Sequence, residues 1–213
     1  MSPAADQTES VLGAATPRLY LASTSPRRRR LLEEYGYAHE VHSPGIDDSG
    51  LSPHETAPDE WVASLAYLKA RAGVENLPDD GLVIGADTIC VHDGCIIGQP
   101  EDRDDAARII RLFENDEHEV LTGVAIVPTD LSWRDVFVDR ATVRVGRIGD
   151  ERIKEYLDTG EWRGKAGAYN LNDRLDAGWP IEFEGDPTSI IGLPMVALGE
   201  HLAYHGVTGG RPC

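Results

Sequence analysis

The run Leu19-Tyr20-Leu21-Ala22-Ser23-Thr24-Ser25-Pro26-Arg27-Arg28-Arg29-Arg30 sets hydroxyls and four guanidinium groups where an apolar strand passes into a helix. Ser25 suits an N-cap, and Pro26 suits the first helical position, where its missing N–H costs nothing. The first-turn N–H groups then face outward, and the helix dipole favours an anion there. In a chain that is acidic elsewhere, this reads as a phosphate site; a solvated basic face is the plainer alternative. Successive helical residues turn by about 100°, so Arg27 and Arg30 lie about 60° apart while Arg28 and Arg29 diverge from them. At most two or three of the four line a pocket, and the others pair with acids such as Glu33 and Glu34.

Asp87 is the sharpest single candidate for acid–base work. It follows Val83-Ile84-Gly85-Ala86, which reads as the end of a buried strand, and open α/β sheets bind ligands beyond the carboxyl ends of their strands. An unpaired buried carboxylate is costly, so Asp87 holds a cation, activates water, or simply makes a turn with Thr88. Gly85 and Ala86 favour the functional reading, because small residues let a ligand approach the backbone. Lys69 sits among alanines on a helix, and Lys165 lies in Gly164-Lys165-Ala166-Gly167, where an ammonium and backbone amides could meet a phosphate. Both also have ordinary readings, as a solvent-facing lysine and a tight turn. Glu33, Asp47 and Asp48 are weak metal-ligand candidates in so acidic a chain. His201 and His205 have metal-pair spacing but no acid cluster nearby, and read as exposed surface. Cys90 and Cys95 straddle a hairpin turn at His92-Asp93-Gly94.

The elements that must position these groups alternate. Leu19–Ala22 reads as a strand, the arginine helix ends near Tyr35-Gly36, and Glu40–His42 is extended. A helix covers Asp59–Gly73, and a short strand covers Leu82–Ile89. Asp104–Phe113 is an amphipathic helix, Glu119–Val127 and Asp135–Val145 are two longer strands, and Asp150 caps a helix to Leu157. Ile181–Phe183 is extended, and Met195–His205 is a terminal helix. The reading is α/β with a mixed sheet, divided into a flexible extension over residues 1–17 and a single domain over 18–213.

Composition bounds the rest. The 213 residues carry a net charge of −17, with lysine only at positions 69, 154 and 165. That excess disfavours nucleic-acid binding, which needs basic surfaces. It also suggests adaptation to high salt, where screening shortens repulsion. No run approaches the apolar length of a membrane span, residues 1–17 lack a secretory pattern, and three cysteines without zinc spacing suit a reducing cytoplasm. The phosphate-loop, dinucleotide and zinc-protease motifs are missing from the sequence.

Taken together, Leu21-Ala22-Ser23-Thr24-Ser25-Pro26-Arg27-Arg28, Gly85-Ala86-Asp87-Thr88, Thr122-Gly123-Val124-Ala125, Lys165-Ala166-Gly167-Ala168-Tyr169 and Gly192-Leu193-Pro194 resemble, in their order, the Maf family of nucleoside triphosphate pyrophosphatases. The resemblance implies an elongated mixed β-sheet with flanking helices and two lobes around a nucleotide cleft. It implies hydrolysis of a nucleoside triphosphate to the monophosphate and pyrophosphate with a divalent cation, Mg²⁺ or Mn²⁺, and a homodimer. A nucleotide-binding regulator of septum formation with little catalysis is the alternative. By position, Asp87 matches the proton acceptor and a metal ligand, with Asp48 as the second acid. Ser23, Ser25, Arg27, Arg28, Lys69 and Lys165 match the phosphate side, and Thr88 and Asn172 are the candidates for reading the base. Arg27 and Thr88 resemble the branch preferring dTTP and UTP, while Asp186-Pro187-Thr188 looks more like the 7-methyl-GTP branch. Asn172 stands where Gln is usual, and Gln99 stands where lysine is usual. Gln can hydrogen-bond a phosphate but cannot neutralise it, so Arg28 or Arg103 compensates or turnover is low.

Overall fold

The computed structural model describes residues 16–46, 50–78 and 80–210. Residues 1–15, which hold most of the expected extension, and Asp47 and Asp48 lie outside them. One mixed sheet of seven strands organises the chain, in the order β2-β1-β3-β5-β6-β7 with β4 paired to β3. These strands are β1 (Arg18–Leu21), β2 (Glu40–Val41), β3 (Gly81–His92), β4 (Cys95–Ile97), β5 (Asp116–Pro128), β6 (Asp135–Val145) and β7 (Ile181–Glu184). The helices are α1 (Pro26–Glu34), α2 (Pro58–Ala72), α3 (Arg103–Phe113), α4 (Asp150–Thr159), α5 (Leu171–Asp176), α6 (Pro187–Ile191) and α7 (Met195–Tyr204). The elongated α/β sheet with flanking helices is as expected.

Two strands are longer than their sequence pattern suggests. β3 continues through Asp87 to His92, so Asp87 is in mid-strand, paired with Gly123, and is not at a strand tip. The end of a strand lies beside it instead. Parallel β1 stops at Leu21 opposite Ile84, and antiparallel β4 meets the same edge of β3 only from Cys90 onward. Between them the edge of β3 at residues 85–89 has no strand partner among the described residues, and this gap opens a cleft.

The core is divided accordingly. One cluster gathers Leu21, Leu32, Ile84, Ile126, Leu193 and Leu198 around β1, α1 and α7. Another gathers Cys90, Ile110, Phe113, Val143, Tyr156, Tyr169 and Trp179 at the opposite end of the sheet. The long strands β3 and β5 run through both, which gives the two lobes a common floor.

Glycines decide how α2 lies on that floor. A Cβ on Gly85 would overlap the backbone of Ala66 and Ala70, and one on Gly123 would overlap that of Val62. Gly85 therefore admits a helix, not a ligand. Two smaller expectations also change. Asp150 is the first residue of α4 and makes no side-chain cap, since Gly149 is the N-cap. Cys90 opposes Ile97, Cys95 opposes His92, and both thiols are free. Among the described residues no helix is long and apolar enough to cross a membrane.

Candidate active site

The cleft has a volume of about 460 Å³. Its polar side begins where β1 becomes α1. Ser25 caps that helix by accepting from Arg28 N at 3.5 Å, and its own N–H donates to Ser23 Oγ at 3.1 Å. The helix starts with Pro26 and has no acid in its first turn to compete for an anion. Arg29 and Arg30 are exposed and pair with Glu33 and Glu34, as expected of the residues that miss the pocket.

Arg27 and Arg28 are the two of the four that line the cleft. Arg28 reaches across the fold. Its Nε donates to Gly192 O at 2.8 Å, Nη1 to Ser23 Oγ at 3.3 Å and Nη2 to Thr88 Oγ1 at 3.2 Å. Thr88 Oγ1 also lies 2.9 Å from Thr122 Oγ1, which donates to Ser189 O at 2.8 Å. This chain of bonds ties α1, β3, β5 and the α6–α7 corner together. Thr88 is thus held in the floor of the cleft by Arg28 and Thr122. Ser23 Oγ accepts twice, which leaves its own proton to donate.

Asp87 and Lys69 meet from opposite elements. Alternation along β3 puts Asp87 on the face of Val83 and Gly85, the face that α2 covers. The close seat of Ala66 and Ala70 on Gly85 delivers Lys69 to the same point, and Lys69 Nζ donates to Asp87 Oδ1. Their side chains are only 17% and 13% exposed, so this is not the solvent-facing lysine that helices usually carry. Lys165 reaches the cleft from the loop before the 3₁₀ turn Ala166–Ala168 and pairs with Asp173 at 3.5 Å. Gly167, at φ +69, lies against Cys90 Sγ, and burial pushes that thiol up to about 12.

Ser23, Ser25, Arg27, Arg28, Lys69, Asp87, Thr88, Gln99 and Lys165 all line one cleft. Two expectations do not survive. Asn172 is exposed and does not line the cleft, whereas Asn170 does. Arg103 pairs with Asp158 on the surface at 2.6 Å and cannot substitute for a lysine at position 99. Asp48 lies outside the described residues. Sequence reasoning also passed over the apolar wall of Cys90, Val120, Leu171 and Ile190, because nothing in their local pattern marks them as facing a cavity. The His pair is not bare surface either. His201 Nδ1 and His205 Nε2 both bond Asp135 Oδ2, at 2.7 and 3.0 Å, while their rings stack on Phe137 and Trp133.

The chemistry of this arrangement is narrow. Four cationic side chains and a capped helix start share the cleft with the only carboxylate that lines it among the described residues. Such a lining has the charge to neutralise an extended polyanion and a carboxylate able to take a proton beside it.

The chain is similar to known proteins over most of its length. Residues 18–205 match the family described as Maf-like protein. A dTTP/UTP pyrophosphatase of Pelotomaculum thermopropionicum is 37% identical over 188 residues, covering 88% of this chain and 96% of that one. One from Rhodopirellula baltica is 41% identical over 198 residues, covering 89% and 83%. One from Alkaliphilus metalliredigens is 37% identical over 188 residues, covering 88% and 96%. A solved nucleoside-triphosphatase, the dITP/XTP pyrophosphatase of Mycobacterium abscessus, aligns at TM-score 0.37 and 17% identity over 62% of this chain and 76% of that one, too weak a likeness to inform the site. With the match running from the first strand to the end of the last helix, the chain belongs to the Maf-like protein family.

Proposed function

We propose that this protein hydrolyses nucleoside triphosphates, dTTP and UTP foremost, to the nucleoside monophosphate and pyrophosphate. The observation that carries the reading is the Lys69–Asp87 pair, set where β3 has no strand partner among the described residues and sharing one cleft with the cationic start of α1. The relatives named dTTP/UTP pyrophosphatase support the base preference.

Water attacks the α-phosphorus and pyrophosphate leaves. Asp87 orients the water and accepts its proton, with Lys69 holding the carboxylate in position through Oδ1. Arg27, Lys69 and Lys165 take up the charge that moves to the leaving group, and Ser23 and the first-turn amides of α1 donate to phosphate oxygens. Arg28 contributes charge from a fixed position, because its guanidinium is already braced by three protein acceptors.

Nucleotide pyrophosphatases of this family generally act with a divalent metal. No group of three His, Cys, Asp or Glu converges among the described residues. The donor set nevertheless fits Mg²⁺ or Mn²⁺, since such cations are held by one or two carboxylates together with substrate phosphates. Asp87 would hold it, with Asp48 as the expected second acid, and the cation would supply further neutralisation of the triphosphate.

A panel of dTTP, UTP, CTP and 7-methyl-GTP with Mg²⁺ or Mn²⁺, scored for pyrophosphate, tests the reading. Pyrophosphate release with UTP or dTTP leading supports it. A nucleotide that binds and is returned intact, or release of orthophosphate alone, overturns it.

A further inference from the structure

Two carboxamides line the cleft, and they are placed differently. Gln99 is exposed just after β4, whereas Asn170 is half-buried between Tyr169 and Leu171, on the apolar wall that includes Cys90 and Val120. We infer that Asn170 reads the base, and that its amide pairs either with the keto edge of uracil and thymine or with the amino edge of cytosine. This rests on the hydrolase reading above and names the substrate range of the same site.

Asn170 is the N-cap of α5, where an asparagine ordinarily accepts a backbone N–H, yet its side chain makes no cap bond. Its main chain is nonetheless well anchored. Asn170 O accepts from Arg174 N at 3.2 Å, and the preceding Tyr169 is buried. The Tyr169 hydroxyl lies 2.9 Å from His118 Nε2, with its ring edge-on to His118 and Phe113. The main chain is therefore held in place at a residue that lines the cleft and whose amide has no cap bond to hold it.

A carboxamide presents one acceptor and one donor side by side. Uracil and thymine offer N3–H and O4, and cytosine offers the inverse pair, N3 and N4–H. Turning the amide over exchanges Oδ1 and Nδ2 and matches either edge. The apolar wall selects a flat ring with such an edge, and the amide then completes the recognition without choosing between keto and amino forms.

The test compares kcat/KM for UTP and CTP, with Mg²⁺, in the full chain and in Asn170→Ser, Asn170→Gln and Asn172→Ala. Inorganic tripolyphosphate serves as a base-free inhibitor. Serine caps helices well, so Asn170→Ser should fold while being too short to reach a base. The wild type should turn over UTP and CTP within about tenfold of each other, and Asn170→Ser should lose about tenfold or more on both. Tripolyphosphate inhibition should be unchanged, Asn170→Gln should recover part of the loss, and Asn172→Ala should keep the UTP-to-CTP ratio. The inference is overturned if Asn170→Ser retains both activities, if Asn172→Ala shifts the ratio instead, or if the wild type rejects CTP by more than about 100-fold, which would mean a fixed amide. A wild type that releases no pyrophosphate and ignores tripolyphosphate fails differently, because that result removes the hydrolase itself.

Discussion

Replacing Gly85 by Ala tests whether the site is assembled by the seat of α2 on the sheet. The residue does not line the cleft, yet its contact with Ala70 sets where the neighbouring Lys69 lies. A Cβ there would come to 2.8 Å from Ala70 Cα, besides overlapping nearby backbone atoms of Ala66 and Ala70. Carbon pairs rest at about 3.5–4.0 Å, so α2 must retreat by roughly 1 Å at the residue next to Lys69. Overpacking of this kind costs about 1–3 kcal/mol. In a chain of this size that corresponds to a fall in Tm of roughly 2–12 °C. A displacement of about 1 Å between a catalytic group and its partner lowers the rate by about 10²-fold. The assay pairs thermal melts with pyrophosphate release from UTP, measured well below the variant's Tm. Unchanged kcat/KM in a Gly85→Ala protein that melts lower would show that Lys69 need not be held by this contact, and the account of the site would fail.

Three other outcomes are expected. Asp87→Asn should cut kcat by about 10²–10⁴-fold while a fluorescent UTP analogue still binds, and full turnover would remove Asp87 as the base. Gln99→Lys should lower KM for UTP several-fold, because a charged donor at the cleft makes bonds about twice as strong as a neutral one, and an unchanged KM would show the phosphate charge already met. Burial, aided by His92, lowers His118 from 6.5 to about 3, so between those values the unfolded chain carries a proton that the folded one lacks. Stability should therefore decline as pH falls below about 6.5, and the loss completes near 3. Melting curves from pH 7 to 5 should show this slope, and His118→Gln should flatten it.

Local rules in the chain were enough for much of this protein. Ser25-Pro26 fixes the start of α1 because a cap and a preset φ act within one turn, and Arg29 and Arg30 find Glu33 and Glu34 at helical spacing. The order of short motifs was enough for the family, and it named nine residues that the fold brings to one cleft. What the sequence could not supply depends on contacts between distant segments. Asp87 sits in mid-strand because β5 pairs with β3 along its whole length, and no residue near position 87 encodes that pairing. Gly85 admits α2 because Ala66 and Ala70 arrive from another element. Asn170 rather than Asn172 faces the cleft because buried Tyr169 anchors the chain on His118, 51 residues away in sequence. His201 and His205 turn inward to a carboxylate 66 and 70 residues distant. Short-range capping and charge pairing depend on sequence separation alone. Which face of a strand or turn meets a cavity is set by packing, and only the folded chain decides that.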